Sequence, residues 1–385
     1  MDQGNTAFIL LAAALVLLMT PGLAFFYGGL VKAKSVISMM MMSFGAIGLI
    51  GVLWAIYGYA IAFPTIEGTA PSPWMFDSSN FLLGAATADA AEPAGAYPTL
   101  AFVAFQATFA IITVALISGA IADRAKFGAW MIFAGIWATV VYFPVASWVF
   151  NFGLGADEAG NGIFSYGGWI TNGLEDVFGV GVIDFAGGTA VHINAGAAAL
   201  ALALVLGKRV GFAKGASVPH NPPFVLLGAG LLWFGWFGFN AGSELAADGT
   251  AALAFINTLV APAAALLGWI VVEKIKDGKS TSIGAASGAV AGLVAITPAC
   301  GSLTPGFAIL LGVIAGAVCA LAIDLKFKLG FDDSLDVVGI HLVGGLVGTL
   351  YLGFFANGTG LVYGAGPEQL LVQLIAALGV MLYSF

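Results

Sequence analysis

Two histidines stand inside long apolar runs, and each follows an aspartate: Asp184-Phe-Ala-Gly-Gly-Thr-Ala-Val-His192 and Asp336-Val-Val-Gly-Ile-His341. An imidazole can donate or accept a hydrogen bond, ligate a metal or carry a proton near neutral pH. Ionisable side chains at hydrocarbon depth are rare, and those that persist face a cavity, a path or one another. Two runs with one imidazole each point to a pair meeting on the axis of a pore. As metal ligands the two fall short of the usual three-ligand zinc site, and the only nearby acids are the aspartates at the run entrances. No metal, cofactor or catalytic residue is expected. His220 lies in a basic loop and reads as ordinary surface, while Cys300 and Cys319 lie in apolar segments and read as small core hydrophobes.

The elements that position these histidines are membrane spans. Of 385 residues, 60% are hydrophobic and 8% charged, and the mean hydropathy is +1.02. Soluble domains carry about 25% charged residues, so water is not this chain's main solvent. Apolar runs of about 20 residues, enough to cross roughly 30 Å of hydrocarbon, fall near residues 6–31, 38–63, 99–122, 127–150, 185–207, 223–243, 251–272, 282–300, 305–323, 337–356 and 369–385. The first is too long for a signal-peptide core and reads as a retained helix. Long Gly-, Pro- and Ala-rich loops at 64–98 and 151–184 read as outer coverings rather than domains.

The charges test this count independently. With the N-terminus outside, eleven crossings put all twelve Lys and Arg residues on the cytoplasmic side: Lys32, Lys34, Arg124, Lys126, Lys208, Arg209, Lys214, Lys274, Lys276, Lys279, Lys326 and Lys328. The outer loops receive acids only, among them Asp2, Glu67, Asp77, Asp89, Glu92, Asp157, Glu158, Glu244, Asp248 and Glu368. The positive-inside rule is a bias, so a complete partition argues that no span is missed or invented. The net charge of −8 reflects this asymmetry, and no nucleic-acid partner is expected. The histidines fall on spans five and ten, the last of each block of five. An odd number per block inverts the second relative to the first, and inverted repeats set their substrate site near the midplane. Gly188 and Gly196 flank His192, and Gly344 and Gly348 follow His341, which suits close helix approach.

The stretch from Asp184 through His192-Ile-Asn-Ala-Gly resembles the signature of the Amt/Mep/Rh ammonium transporter family, on its bacterial Amt side. Pro21-Gly-Leu-Ala-Phe-Phe-Tyr-Gly-Gly, Ala104-Phe-Gln-Ala-Thr-Phe109, Trp233-Phe-Gly-Trp-Phe-Gly-Phe-Asn-Ala-Gly-Ser243, Thr297-Pro-Ala-Cys-Gly301 and Asp336-Val-Val-Gly-Ile-His341 are similar to further family segments, in family order. The resemblance covers essentially the whole chain. It implies an all-α integral membrane protein of eleven transmembrane helices, two inverted five-helix repeats plus a final helix. Residues 1–385 would form one domain, with helices 1–5 at about 6–207, 6–10 at about 223–356 and 11 at about 369–385.

By resemblance the protein conducts ammonium or ammonia, with methylammonium as analogue, across the plasma membrane and works as a homotrimer. His192 and His341 match the twin pore histidines. Phe105 is expected at a phenylalanine gate beside Phe239. Phe109, Phe150 and Ser243 are expected at an outer ammonium site, Trp236 lines the pore, and Asp184 is structural or helps recruit the cation. The chemistry suits the substrate. Aromatic faces attract cations, a serine hydroxyl accepts a hydrogen from ammonium, and stacked phenyl rings make a dry constriction. Each has a plainer reading: phenylalanines pack in any membrane protein, Ser243 could cap a helix end, and Asp184 at a span start could satisfy free backbone N–H groups.

Two departures stand out. Phe150 occupies a position where many family members carry tryptophan, so the outer site has a weaker cation–π face unless Trp148 or Trp169 supplies one. The chain also stops at Phe385, without the usual cytoplasmic tail and part of the docking surface for a PII-type regulatory protein. The competing functions are an ammonium sensor signalling through a partner protein, a membrane metalloenzyme, and a water or glycerol channel. The last would carry paired Asn-Pro-Ala half-helices, and Asn221-Pro-Pro sits in a cytoplasmic loop. The expected function is ammonium transport.

Overall fold

A computed structural model describes residues 2–64, 74–89, 96–152, 167–212 and 218–385. Glu67, Glu92, Asp157, Glu158 and Lys214, used above to assign sides, lie outside the described residues, as do parts of both long loops. The described chain is helical, with no strand among the described residues. We number its long apolar helices α1 (Gln3–Leu30), α2 (Ala33–Ala62), α3 (Thr99–Ile121), α4 (Phe127–Phe150), α5 (Gly188–Leu206), α6 (Pro222–Glu244), α7 (Gly249–Asp277), α8 (Ser282–Ile296), α9 (Pro305–Leu329), α10 (Val338–Phe355) and α11 (Glu368–Ser384). Nine of these are long and apolar enough to cross a membrane, while α8 and α11 are shorter apolar helices. They match the eleven expected segments in order. Several bounds differ by four to six residues: α9 runs on to Leu329 and α7 to Asp277, α2 begins at Ala33, and α8 stops at Ile296 rather than continuing to residue 300. Thr297 still has helical backbone and donates to the Leu293 carbonyl, and Pro298, which has no N–H to give, ends the hydrogen-bonded run there.

Capping fixes several starts. Asp2 accepts from the Asn5 amide to open α1, Asn221 from Phe224 to open α6, Asp248 from Thr250 and Ala251 to open α7, and Thr281 from Gly284 to open α8. The most extensive interface is α1 against α6. Glycine permits it: a Cβ on Gly228 would lie 2.2 Å from the Phe26 nitrogen, so only glycine allows the two backbones this close.

The two blocks of five share one pattern of neighbours. In the first, α1 packs on α3 and α2 packs on α3 and α4; in the second, α6 packs on α8 and α7 packs on α8 and α9. The helices α5 and α10 meet each other, and α11 lies across both. Burial separates inner from outer helices. The most apolar window of α3 is 78% buried and those of α5 and α10 are 67% buried, against 28% for α2. Ala286–Ile296 of α8 is buried throughout, and in a membrane the apolar outer faces meet lipid, so the chain reads as a bundle with α3, α5, α8 and α10 at its centre.

Candidate functional site

Both histidines sit on π-helical turns that open α5 and α10. His192 lies in Gly188–Ile193 and His341 in Val338–Leu342. The His192 amide donates five residues back to the Gly187 carbonyl. Such a wide turn inserts an extra residue and re-aims side chains, which is why it recurs at functional sites.

A carboxylate caps each turn. Asp184 accepts the backbone N–H groups of Gly187 (2.9 Å), Gly188 (2.5 Å), Thr189 (2.9 Å) and Ala190 (3.3 Å), together with the Thr189 hydroxyl. Its counterpart is not Asp336, the aspartate the sequence pairs with His341. Asp336 has a positive φ of 63° and turns its carboxylate to Lys326 Nζ at 2.5 Å. Asp333 caps α10 instead, accepting the Val338 N–H at 2.7 Å. It precedes His341 by the same eight residues that separate Asp184 from His192. That equal spacing was the signal in the sequence that pointed to Asp333.

The two imidazoles meet. Their Nδ1 atoms are 3.2 Å apart and the ring centroids 5.3 Å, both rings being buried. A hydrogen bond between two Nδ1 atoms holds one proton, so one ring donates and the other accepts. For two neutral rings, the outward Nε2 atoms then have opposite character. Among the described residues, His192 Nε2 is buried and has no hydrogen-bond partner. The indole of Trp236 stacks on His192 at 5.5 Å, and its Nε1 donates to the Thr297 hydroxyl at 2.8 Å. Beneath His341 an apolar cavity is lined by Leu23, Phe26, Tyr27, Leu116, Leu232 and Trp236. A small hydrogen-bonding molecule there would find imidazole as the main polar wall.

On the other side of His192 lies a stack of phenyl rings, and here one expected pairing is corrected. Phe109, not Phe105, stacks face to face on Phe239, at 4.1 Å and 14° between planes. Phe105 lies one turn away, 4.8 Å from Phe109, with its ring against Gly242. Phe105 and Phe109 are four residues apart on α3 and share a face, so neighbouring helices decide which ring meets Phe239. Phe239 is 6.2 Å from the His192 ring, which joins the stack to the histidine pair.

Ser243 donates its hydroxyl proton to the Phe239 carbonyl at 2.8 Å, leaving its oxygen lone pairs as acceptors. Phe150 is buried and meets Phe109 edge-on at 6.1 Å. Trp148 and Trp169 pack on each other at 5.7 Å, and Trp148 on Tyr383 of α11 at 4.6 Å. Phe150 therefore remains the ring presented to Phe109.

A charged cluster ties down one end of the bundle. Arg209 grips Asp332 with Nη2 at 2.8 Å and Nε at 2.9 Å, and its backbone N–H adds a third bond at 2.6 Å. Arg124 donates to the carbonyls of Gly207, Ala120 and Asp332, which fastens α3, α5 and the approach to α10 together. Burial alone would raise the Asp332 pKa, but the Arg209 hydrogen bonds and charge hold it below the usual carboxylate range. Sequence patterning found the charges of this cluster without its pairing. Among the described residues no group of His, Cys, Asp and Glu is arranged to hold a metal.

The profile of the Ammonium Transporter Family matches residues 7–385. The chain is 57% identical over 407 aligned residues to an ammonium transporter of Mycobacterium bovis, covering 100% of this chain and 82% of the relative. It is 46% identical over 372 residues to the Bacillus subtilis ammonium transporter, covering 96% and 84%. Among solved structures, Mep2 of Saccharomyces cerevisiae superposes with a TM-score of 0.85 at 32% identity, covering 100% of this chain and 86% of that one. A protein described as a sensor Amt protein gives 0.85 at 27% identity, covering 99% and 90%. With a family match over nearly its whole length and relatives this close, the chain belongs to the ammonium transporter family.

Proposed function

We propose that this ammonium transporter passes its substrate along the line from Ser243 through the Phe109–Phe239 stack to the His192–His341 pair. The observation that carries the reading is the buried 3.2 Å contact between the two imidazoles, continuous with stacked phenyl rings on one side and an apolar cavity on the other. Phe105, Phe150 and Ser243 form the outer ammonium site, where cation–π attraction and one hydroxyl acceptor offset lost hydration. The Phe109–Phe239 stack is the gate, and the histidine pair is the narrow polar stretch behind it. Asp184 holds the His192 turn in place, and Trp236 fixes one face of that ring. The line is a conduit rather than an active site, in keeping with a family of transporters.

Four broader assignments complete the reading. The shared neighbour pattern of the two five-helix blocks supports an inverted repeat within a single domain. The complete partition of Lys and Arg supports an outer N-terminus, a cytoplasmic C-terminus and residence in the plasma membrane. Homotrimeric assembly and docking of a PII-type regulator at the cytoplasmic face follow from the family resemblance. The sensor alternative is not favoured, since the relatives at 57% and 46% identity are named transporters. Purified protein in liposomes is expected to take up labelled methylammonium saturably, with competition by ammonium. Uptake no greater than in protein-free liposomes would contradict the proposal.

A further inference from the structure

We propose that Gln373 is a positioning residue, its side-chain amide on α11 fixing the entrance of the His192 helix relative to the His341 helix. The side chain is fully buried. Its Oε1 accepts the Ile183 N–H at 2.7 Å and Gln369 Nε2 at 3.3 Å. Its Nε2 donates to the Ile183 carbonyl at 2.8 Å and the Thr349 carbonyl at 3.1 Å. All four hydrogen-bonding positions of the amide are therefore filled.

The partners give these bonds their meaning. Ile183 directly precedes Asp184, the carboxylate that caps the His192 turn. Thr349 lies on α10, about two turns beyond His341. The two helices touch at this level, since a Cβ on Gly188 would fall 2.9 Å from the Thr349 hydroxyl oxygen. One planar amide thus ties the lead-in of one histidine to the helix of the other, from an element outside both five-helix blocks. A hydrogen bond between imidazoles tolerates only a few tenths of an ångström of drift, so a fixed spacer between their helices preserves it. The inference rests on the reading of His192 and His341 as lining the path.

The test uses full-length protein in nanodiscs for hydrogen exchange and in supported membranes for ammonium-evoked current. Gln373→Met keeps the size of the side chain and removes all four bonds, whereas Gln373→Glu keeps an acceptor and loses both donors. Gln369→Met removes the Gln369 bonds to the Gly181 carbonyl and to Gln373 Oε1 but leaves the Ile183 and Thr349 bonds intact, so it serves as the control for exchange over residues 183–190. For Gln373→Met, exchange over residues 181–190 should rise about tenfold or more, the scale of lost buried hydrogen bonds, with distant helices unchanged. Maximal current should fall at least about fivefold with half-saturation moved less than about twofold, because the outer site lies elsewhere. Gln373→Glu should be intermediate and Gln369→Met close to wild type.

Unchanged exchange over 181–190, or unchanged maximal current, in folded Gln373→Met would overturn the proposal. Exchange rising evenly through all helices, with current lost only in proportion to folded protein, would also overturn it, because that is what a purely structural role predicts. If Gln373→Met yields no folded protein, Gln373→Glu decides by the same two measures. Hydrogen exchange does not depend on transport, so failure here is distinguishable from failure of the pore reading.

Discussion

A phenyl ring and an indole differ in how strongly they hold a cation, and at Phe150 that difference sits beside the stack leading to His192. The ring lies edge-on to Phe109, while Trp148 and Trp169 are engaged with each other and Trp148 with Tyr383. Phe150→Trp should therefore lower the half-saturating methylammonium concentration in uptake assays by about two- to tenfold, the scale of a stronger cation–π face. An unchanged value would mean that another ring already supplies the attraction. The same cluster marks the limit of reading single residues from sequence. Phe105, Phe109 and Phe239 were all legible as candidates, but which α3 ring stacks on Phe239 depends on how α3 faces α6. That is a property of packing between helices, which four-residue spacing cannot resolve.

At the scale of elements, two carboxylates hold the turns that aim the histidines. Asp184 satisfies four backbone N–H groups and a hydroxyl, and replacing it with alanine leaves those donors buried without a partner. Asp184→Ala should cost about 2 kcal/mol or more, read as a lower melting temperature and reduced folded yield in detergent; an unchanged melting temperature would remove it from this role. Asp333 lies between α9 and α10, and burial is the first cause that pushes its pKa up to about 6, with Lys326 opposing and Asp336 assisting. Its native carboxyl binds a proton more tightly than the unfolded chain, whose value is about 3.9. Protonation therefore stabilises the native arrangement below about pH 4, and this contribution is lost as pH rises through about 6. Hydrogen exchange over residues 332–338, corrected for intrinsic rates, should slow as pH falls from 7 to 5, and Asp333→Asn should flatten that dependence. A wild-type profile that is flat already would contradict the assignment. The Asp184 cap was legible because it adjoins an apolar run directly. Asp333 was passed over for Asp336, which is nearer to His341, although the eight-residue spacing was present in the sequence. Only the positive φ at Asp336 and its turn toward Lys326 explain why the nearer carboxylate does not cap.

For the whole molecule, hydropathy and charge carried most of the architecture, since a lipid environment restricts a chain to few solutions. The eleven segments and their order are read directly from apolar runs, and the odd number per block gave the expectation of inversion. Hydropathy could not reveal the contribution of α11, because the Gln369–Gln373 pair looks like an ordinary polar interruption until Ile183 and Thr349 are seen against it. Sidedness is testable directly. Reporter fusions after Arg124, Lys276 and Lys328 should read cytoplasmic and those after Asp248 and Gly358 exterior, and one reversed site would break the eleven-crossing topology. The central claim is that a narrow, dry stretch whose main polar groups are two imidazoles admits ammonium and rejects potassium, an ion of similar size without hydrogens to donate. The most direct test records current on solid-supported membranes carrying purified protein, with ammonium and potassium jumps applied in turn. Wild type should respond to ammonium and not to potassium. The His192→Asp/His341→Asp protein, which brings carboxylates and water into that stretch, should respond to both. A correctly folded double variant that still responds to ammonium alone would contradict the account.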